Sequence, residues 1–256
     1  MGVSMATARL WVERWERQQQ RYAIDREERF TVIADVVEHA TAGRSRPLLL
    51  DLGCGPGSLS ARLAGRMPDA EIVAVDMDPL LLELARTHHP SAARYEEIAI
   101  GDDGWTDALG LNRPLDAAVS TTALHYLSEP ALLRTYRQLA DLLGPGGLLV
   151  NGDHFAQQSQ PCSDLTAHVG HRRAERTRTH AHEDWQSWWT AAALDPELTD
   201  LFTERERRQA AHGHQGGNGN ALSLARHTDL LRQAGFRHIA PVWQFGDSHV
   251  LVAVKD

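Results

Sequence analysis

The segment LLLDLGCGPGSLSARLA, residues 48–64, decides the fold. Its opening apolar run reads as a buried strand and its three glycines as a tight loop. Leu59 and Leu63, one helical turn apart, read as the inner face of a helix. Gly53, Gly55 and Gly57 leave bare backbone against which a ligand can lie, and the helix start adds oriented N–H dipoles. A dinucleotide fingerprint, G-x-G-x-x-G, needs a glycine where Ser58 stands, which argues against a pyrophosphate. Nineteen residues beyond Gly57, Asp76 closes a second apolar run, EIVAVD, where a carboxylate accepts hydrogen bonds from both hydroxyls of a ribose. The ligand expected here therefore carries a nucleoside.

Working outward, short apolar runs alternate with helical patterns, as in βαβ units around a parallel sheet. Strands are expected at 47–52, 71–76, 94–100, 115–120 and 147–152. Asp78 and Pro79 provide an N-cap and first-turn proline for one helix, and a helix over 129–143 stops at Gly144 and Pro145. Near the end, Ser223 caps a helix that Gly235 terminates. Two strands, 236–245 and 249–255, flank the turn Gly246-Asp247 and read as an antiparallel pair. Upstream, residues 1–45 hold two helices, 5–20 and 26–40, the second with Phe30, Ile33 and Val37 at helical spacing before a stop at Gly43. Between the fifth strand and Ser223 lies an insertion, 153–221, rich in arginine and histidine and mostly helical. It ends in the tract GHQGGNGN, 213–220, which reads as flexible.

The chain has 256 residues, 42% hydrophobic and 23% charged, which suits one elaborated globular domain. A net charge of −8 repels a polyanion and argues against nucleic-acid partners. Cys54 and Cys162 are too few for a disulfide scaffold or a cysteine-based zinc site. No apolar run approaches the roughly 20 residues that span a bilayer, and the amino terminus does not read as a secretory signal. No membrane partner and a cytoplasmic location are the expectations.

Through LDLGCGPGS, AVDMDP, the GDD at 101–103 and LLGPGGLLV, the chain resembles the class I S-adenosylmethionine-dependent methyltransferases of small-molecule type, over 47–152 and again over 223–254. The resemblance implies an α/β fold with a Rossmann-like seven-stranded sheet, mostly parallel with an antiparallel last strand. To this it adds an N-terminal helical lid (1–45), and a cofactor-binding catalytic domain (46–256) that carries a helical cap insertion. It implies S-adenosylmethionine as cofactor, with Asp51, Gly53, Gly55 and Gly57 bordering the methionine part and Asp76 and Met77 the ribose and adenine. Asp102 would face the adenine amino group, with Asp103 as second candidate, and Ser120 and Thr121 would lie beside the sulfonium. As residues alone, Asp51 equally caps the following helix, and Asp102 and Asp103 the helix beginning at Trp105.

An open α/β sheet has its crevice at the carboxyl ends of the strands, so TTALHYL (121–127) and NGDHF (151–155) border the transferable group. His125, Tyr126, Asp153 and His154 are the candidates there. An imidazole suits proton removal near neutral pH, so His125 is either the base or a packing element. STTALH lacks the Asn-Pro-Pro-aromatic motif and the Pro-Cys pair of nucleic-acid base methyltransferases, whereas ALHYL is similar to trans-aconitate-type and biosynthetic small-molecule enzymes.

On the lid, Tyr22, Arg26, Arg29 and Phe30 are the residues of interest. Tyr22 and Arg29 are taken as cofactor-binding, an arginine holding the ligand's carboxylate and an aromatic ring covering the sulfonium, unless the helix presents a solvated face with Phe30 in the core. In the cap, Trp185, Trp188 and Trp189 share a helical face and either fill a core or meet substrate. His168, His171 and Glu175 run i, i+3, i+7, but 14 histidines make chance clustering the expectation, and no metal is assigned. Arg172, Arg173, Arg176 and Arg178 attract an anionic substrate or form a solvated face. Trp11 and Trp15 serve a homodimer contact or pack inward. The expected activity is methyl transfer to a small anionic or aromatic metabolite, yielding S-adenosylhomocysteine. The alternatives are a non-methylating enzyme releasing methylthioadenosine and a non-catalytic S-adenosylmethionine-binding module.

Overall fold

The computed structural model describes residues 2–23, 25–212 and 220–256, so most of the glycine-rich tract at 213–220 lies outside the described residues. Seven strands form one sheet: β1 (Leu48–Leu52), β2 (Glu71–Asp76), β3 (Arg94–Glu97), β4 (Leu115–Thr121), β5 (Leu143–His154), β6 (His238–Phe245) and β7 (Ser248–Val254). Their order is β3-β2-β1-β4-β5-β7-β6. Only β7 runs against the rest, pairing antiparallel with both β5 and β6. The chain leaves one half of the sheet after β3 and re-enters beside β1, so the switch point falls between β1 and β4, where a doubly wound sheet opens its crevice. Leu52 is in register with Val75 on one side and Ser120 on the other, which brings Gly53, Asp76 and Thr121 to the same edge.

Alternation along β1 sorts the two cores. Leu48, Leu50 and Leu52 face one layer, which contains Tyr136 and Leu139 of α6 (Glu129–Leu142) and Leu230 and Leu231 of α10 (Leu224–Gln233). Leu49 faces the other, filled by Phe30, Ile33 and Val37 of α2 (Arg26–Ala40) and Leu59 and Leu63 of α3 (Ser58–Arg66). Of the two N-terminal helices, α2 is thus part of the sheet's packing. The other, α1 (Met5–Tyr22), packs on α4 (Pro79–His88) and on α8 (Trp185–Ala192) of the insertion. Expected caps are in place: Asp78 accepts from Leu80 and Leu81 N–H, and Ser223 from Arg226 N–H.

Three expectations change. The third strand stops at Glu97, because its partner β2 ends at Asp76, and the Ile98 N–H takes the Asp76 carbonyl before the chain turns away. The fifth strand is longer at both ends, since β7 continues to pair with Asp153 and His154 and Leu143 pairs with Leu115. The short helix α5 (Trp105–Ala108) is preceded by Gly104 at a φ of 75°, so neither Asp102 nor Asp103 is its cap.

The insertion folds as α7 (Gln160–Thr177), α8 and α9 (Thr199–His212). Trp11 and Trp15 pack inward against it. The rings of Trp11 and Trp188 meet edge to face at 5.5 Å, and those of Trp15 and Trp188 at 5.1 Å, with Trp188 fully buried. Arg173 of α7 pairs with Asp25, Arg172 with Glu175, and His171 also with Glu175. Among the described residues, no group of three His, Cys, Asp or Glu side chains is placed to hold a metal ion, and no helix is long and apolar enough to cross a membrane.

Candidate active site

A cavity of about 830 Å3 opens at the carboxyl ends of β1, β2, β4 and β5. Its floor is the glycine loop. Gly53 has a φ of 70°, and a Cβ there would meet the Ala123 Cβ at 2.3 Å, so only glycine lets β1 turn beneath the residues that follow β4. Asp76 stands at one side, its carboxylate accepting from Gly55 N–H at 2.8 Å and Asp78 N–H at 2.9 Å. Burial, with Asp78 next, pushes its carboxyl up to about 6. Met77, Ile98 and Ile100 add an apolar slot beside it.

At the other end, the 3-10 turn Leu124–Tyr126 presents His125. The side chain of Asp153, at the end of β5, is buried behind it, with oxygens 2.9 and 3.0 Å from His125 Nδ1. Burial alone raises a carboxyl, but the hydrogen bond and charge of His125 outweigh it and hold Asp153 below the usual carboxylate range. An ionised Asp153 accepts only, so His125 Nδ1 donates to it, and Nε2 is the ring nitrogen on the side away from the carboxylate. His154 is held likewise, with Nδ1 3.1 Å from the Asp247 carboxylate in the β6–β7 turn. Thr122, between β4 and His125, adopts a φ of 51°, rare for a residue without glycine's freedom, and its N–H donates to Gly152 O.

The roof comes from α1, α8 and α9: Trp15, Gln19, Tyr22, Trp185, Trp189 and Arg205 line it. Arg205 donates to Asp78 at 2.6 Å and lies over the Trp189 ring at 3.8 Å from its centroid. At the base of the roof, Glu16 of α1 binds Arg26, Arg62 and Ser58, fastening α1 and α2 to the start of α3.

Residues 49–147, which span the loop, Asp76 and His125, match the family model described as "Methyltransferase domain". Over 103 residues the chain is 39% identical to the trans-aconitate 2-methyltransferase of Methylobacterium radiotolerans. Over residues 49–147 the chain carries a methyltransferase domain. That alignment covers 40% of this chain and 36% of its relative. The trans-aconitate 2-methyltransferase of Methylobacterium nodulans is 29% identical over 59% of the chain and 58% of its own length. The chain thus spans between about a third and three-fifths of these two relatives. Among solved structures, magnesium protoporphyrin IX methyltransferase from Synechocystis superposes with a TM-score of 0.58 at 16% identity, covering 96% of this chain and 94% of that one. That likeness carries the fold.

Of the residues expected at the site, Tyr22, Gly53, Gly55, Asp76, Met77, Thr121, His125, Tyr126 and His154 line the cavity. Six others do not, each for a visible reason. Asp51 is buried behind the loop and accepts from Ser60 Oγ at 2.6 Å, in the first turn of α3. Gly57 makes room for Tyr95, whose hydroxyl lies 2.7 Å from where its Cβ would be. Ser120 donates to Leu52 O at 2.9 Å inside the sheet. Asp102 and Asp103 sit on an exposed turn beyond Ile100. Arg29 is buried against β5, with Nη1 3.3 Å from Ser248 Oγ, and burial lowers its guanidinium to about 10. The arginine of α2 on the cavity wall is Arg26. Phe30, read as a possible sulfonium cover, is in the core with Arg26 and Arg62 on its ring at 4.5 and 4.6 Å. Sequence reasoning missed Gln19, Trp15, Arg205 and Asp247, which reach the site only by folding of distant segments.

Proposed function

We propose that this methyltransferase moves the methyl group of S-adenosylmethionine to a small-molecule acceptor, with His125 as general base. The donor set fits the cofactor. Asp76 offers a carboxylate to a ribose diol, Met77, Ile98 and Ile100 offer an apolar slot to the base, and Thr121 Oγ1 is buried without a partner. The volume lies within the roughly 300–1,000 Å3 of small-molecule sites, which favours a nucleoside ligand plus a modest acceptor over a macromolecule.

The observation that carries the reading is His125: its Nδ1 is occupied by a buried carboxylate and its ring faces the same cavity as Asp76. When bound, S-adenosylmethionine supplies a methyl carbon activated by positive sulfur. His125 Nε2 accepts the acceptor's proton as the acceptor–methyl bond forms and the carbon–sulfur bond breaks, its electron pair remaining on sulfur. Asp153 stabilises the imidazolium so formed and holds the ring in one orientation. Trp15, Gln19 and Tyr22 of α1, with Trp185 and Trp189 of α8, roof the reaction and exclude water.

Incubating the protein with S-adenosylmethionine and pooled metabolites tests the reading. The expected products are S-adenosylhomocysteine and an acceptor heavier by one methyl group. Methylthioadenosine without any acceptor would instead show an intramolecular reaction, and binding without any product a non-catalytic module.

A further inference from the structure

We infer that Asn220 is a positioning residue for His125: it straps the turn that carries the imidazole to the segment that follows Asp153, so that base and carboxylate stay aligned. This deepens the proposed methyl transfer and rests on its assignment of His125 as base.

The turn is weakly held by its own bonds. Leu124–Tyr126 is a single 3-10 turn, closed by Tyr126 N–H to Ala123 O at 3.1 Å and Leu127 N–H to Leu124 O at 3.2 Å. Hydrogen bonds of this class are poorly aligned. Leu124 and Leu127 are buried and fix the ends, while Tyr126 is exposed.

Asn220, the last residue of the glycine-rich tract, grips the turn from outside. Its backbone N–H donates to His125 O at 2.7 Å. Its side-chain Nδ2 donates to Leu127 O at 3.0 Å and, at 3.5 Å, to Leu124 O. The same side chain is itself held, because Oδ1 accepts from Leu222 N–H two residues on, at 3.1 Å.

The far end of this strap is fastened beside Asp153. Ser223 forms a parallel bridge with Ala156, and Leu224 N–H donates to Ala156 O at 3.2 Å, three residues beyond Asp153. Ser223 also caps α10, whose Leu230 and Leu231 are in the core. Residues 220–224 therefore join the two segments that present the imidazole and its carboxylate. Backbone strain marks the same place. Among the described residues three without glycine's freedom have a left-handed φ, and two of them, Thr122 at 51° and Ala221 at 49°, flank this contact. Such strain persists where the surroundings over-determine the chain, as they do at functional sites. Asn220 itself does not line the cavity, so its influence on the reaction passes through His125, whose Nδ1 must stay near both Asp153 oxygens.

The test is a double-substitution cycle on the rate of S-adenosylhomocysteine release from S-adenosylmethionine and pooled metabolites. Asn220→Ala should lower the maximal rate by about 10- to 100-fold, as for a reacting group misplaced by up to about an ångström, and should move the KM for S-adenosylmethionine by less than about twofold. In a His125→Ala background the same substitution should lower the rate no further, since Asn220 acts through the imidazole. Asn220→Asp, which still accepts from Leu222 N–H but cannot donate from its side chain, should repeat both results, and it replaces Asn220→Ala if that variant does not fold by circular dichroism. A second readout needs no acceptor. In protein labelled with isotopic histidine, the downfield Nδ1–H resonance that His125→Ala abolishes should also be lost in Asn220→Ala. An unchanged rate, an equal loss of rate in the two backgrounds, or a His125 resonance that persists in Asn220→Ala or is absent from the wild type overturns the inference. Failure of the wild type to release any S-adenosylhomocysteine overturns the proposed function instead, and the resonance then decides alone whether Asn220 positions His125.

Discussion

Asp153 spans the Nδ1 edge of His125 with both carboxylate oxygens, at 2.9 and 3.0 Å, while its own side chain is shut off from solvent. A contact of this kind sets both the tautomer and the direction of the imidazole. Replacing His125 with Ala is expected to lower kcat by roughly 100-fold or more, the usual contribution of a positioned base. S-adenosylhomocysteine affinity should change little. Asp153→Asn keeps the size but reverses the contact, and a loss of about 100-fold or less follows from the misaimed ring. Steady-state kinetics with binding measured separately checks both; equal loss in kcat and cofactor affinity would count against the base.

Asp76 already holds two N–H groups and still faces the cavity. Asp76→Ala should weaken S-adenosylhomocysteine binding by about 1–3 kcal/mol, as expected for a charged acceptor lost from a ribose diol. In the wild type, affinity should fall as pH drops through about 6, where the carboxyl takes up its proton. Titrations from pH 5 to 8 read both effects.

Asp51 carries a distinct pH signature. Burial raises its carboxyl to about 7, from an ordinary 3.8. Between those values the native state keeps a proton that the unfolded chain releases. The contribution is therefore complete at low pH, declines as pH rises through that window, and levels off above about 7. Asp51→Asn should flatten this part of the profile, raising the melting temperature relative to wild type more at pH 8 than at pH 5. Parallel slopes for the two proteins would refute the assignment.

Trp188 joins the insertion to α1 through the Trp11 and Trp15 rings and donates from Nε1 to Trp11 O at 3.3 Å. Its replacement by Ala should cost about 3–5 kcal/mol, in the range of large core truncations. Denaturant unfolding gives the magnitude, and limited proteolysis should show faster cleavage within the insertion.

Features set by neighbouring residues were legible in the sequence. The helix over 26–40, the strand over 71–76, the Asp78 and Ser223 caps and the glycine loop all appear where pattern and cap chemistry place them. Asp76 was legible for the same reason, since a strand end and a loop fix its position within a few residues. Gly57 shows the limit: a glycine in a loop reads as room for a ligand, yet here the room is taken by Tyr95 from β3.

The sequence by itself determined the order of strands and helices, the loop that bares its backbone, and the acid at the end of the second strand, because periodicity and turn chemistry act over a few residues. Tertiary structure alone decided that Asp247 orients His154, that Arg205 reaches Asp78, and that Phe30 disappears between two guanidiniums. Those contacts join segments far apart in the chain, and they depend on how whole layers pack, which no local pattern encodes.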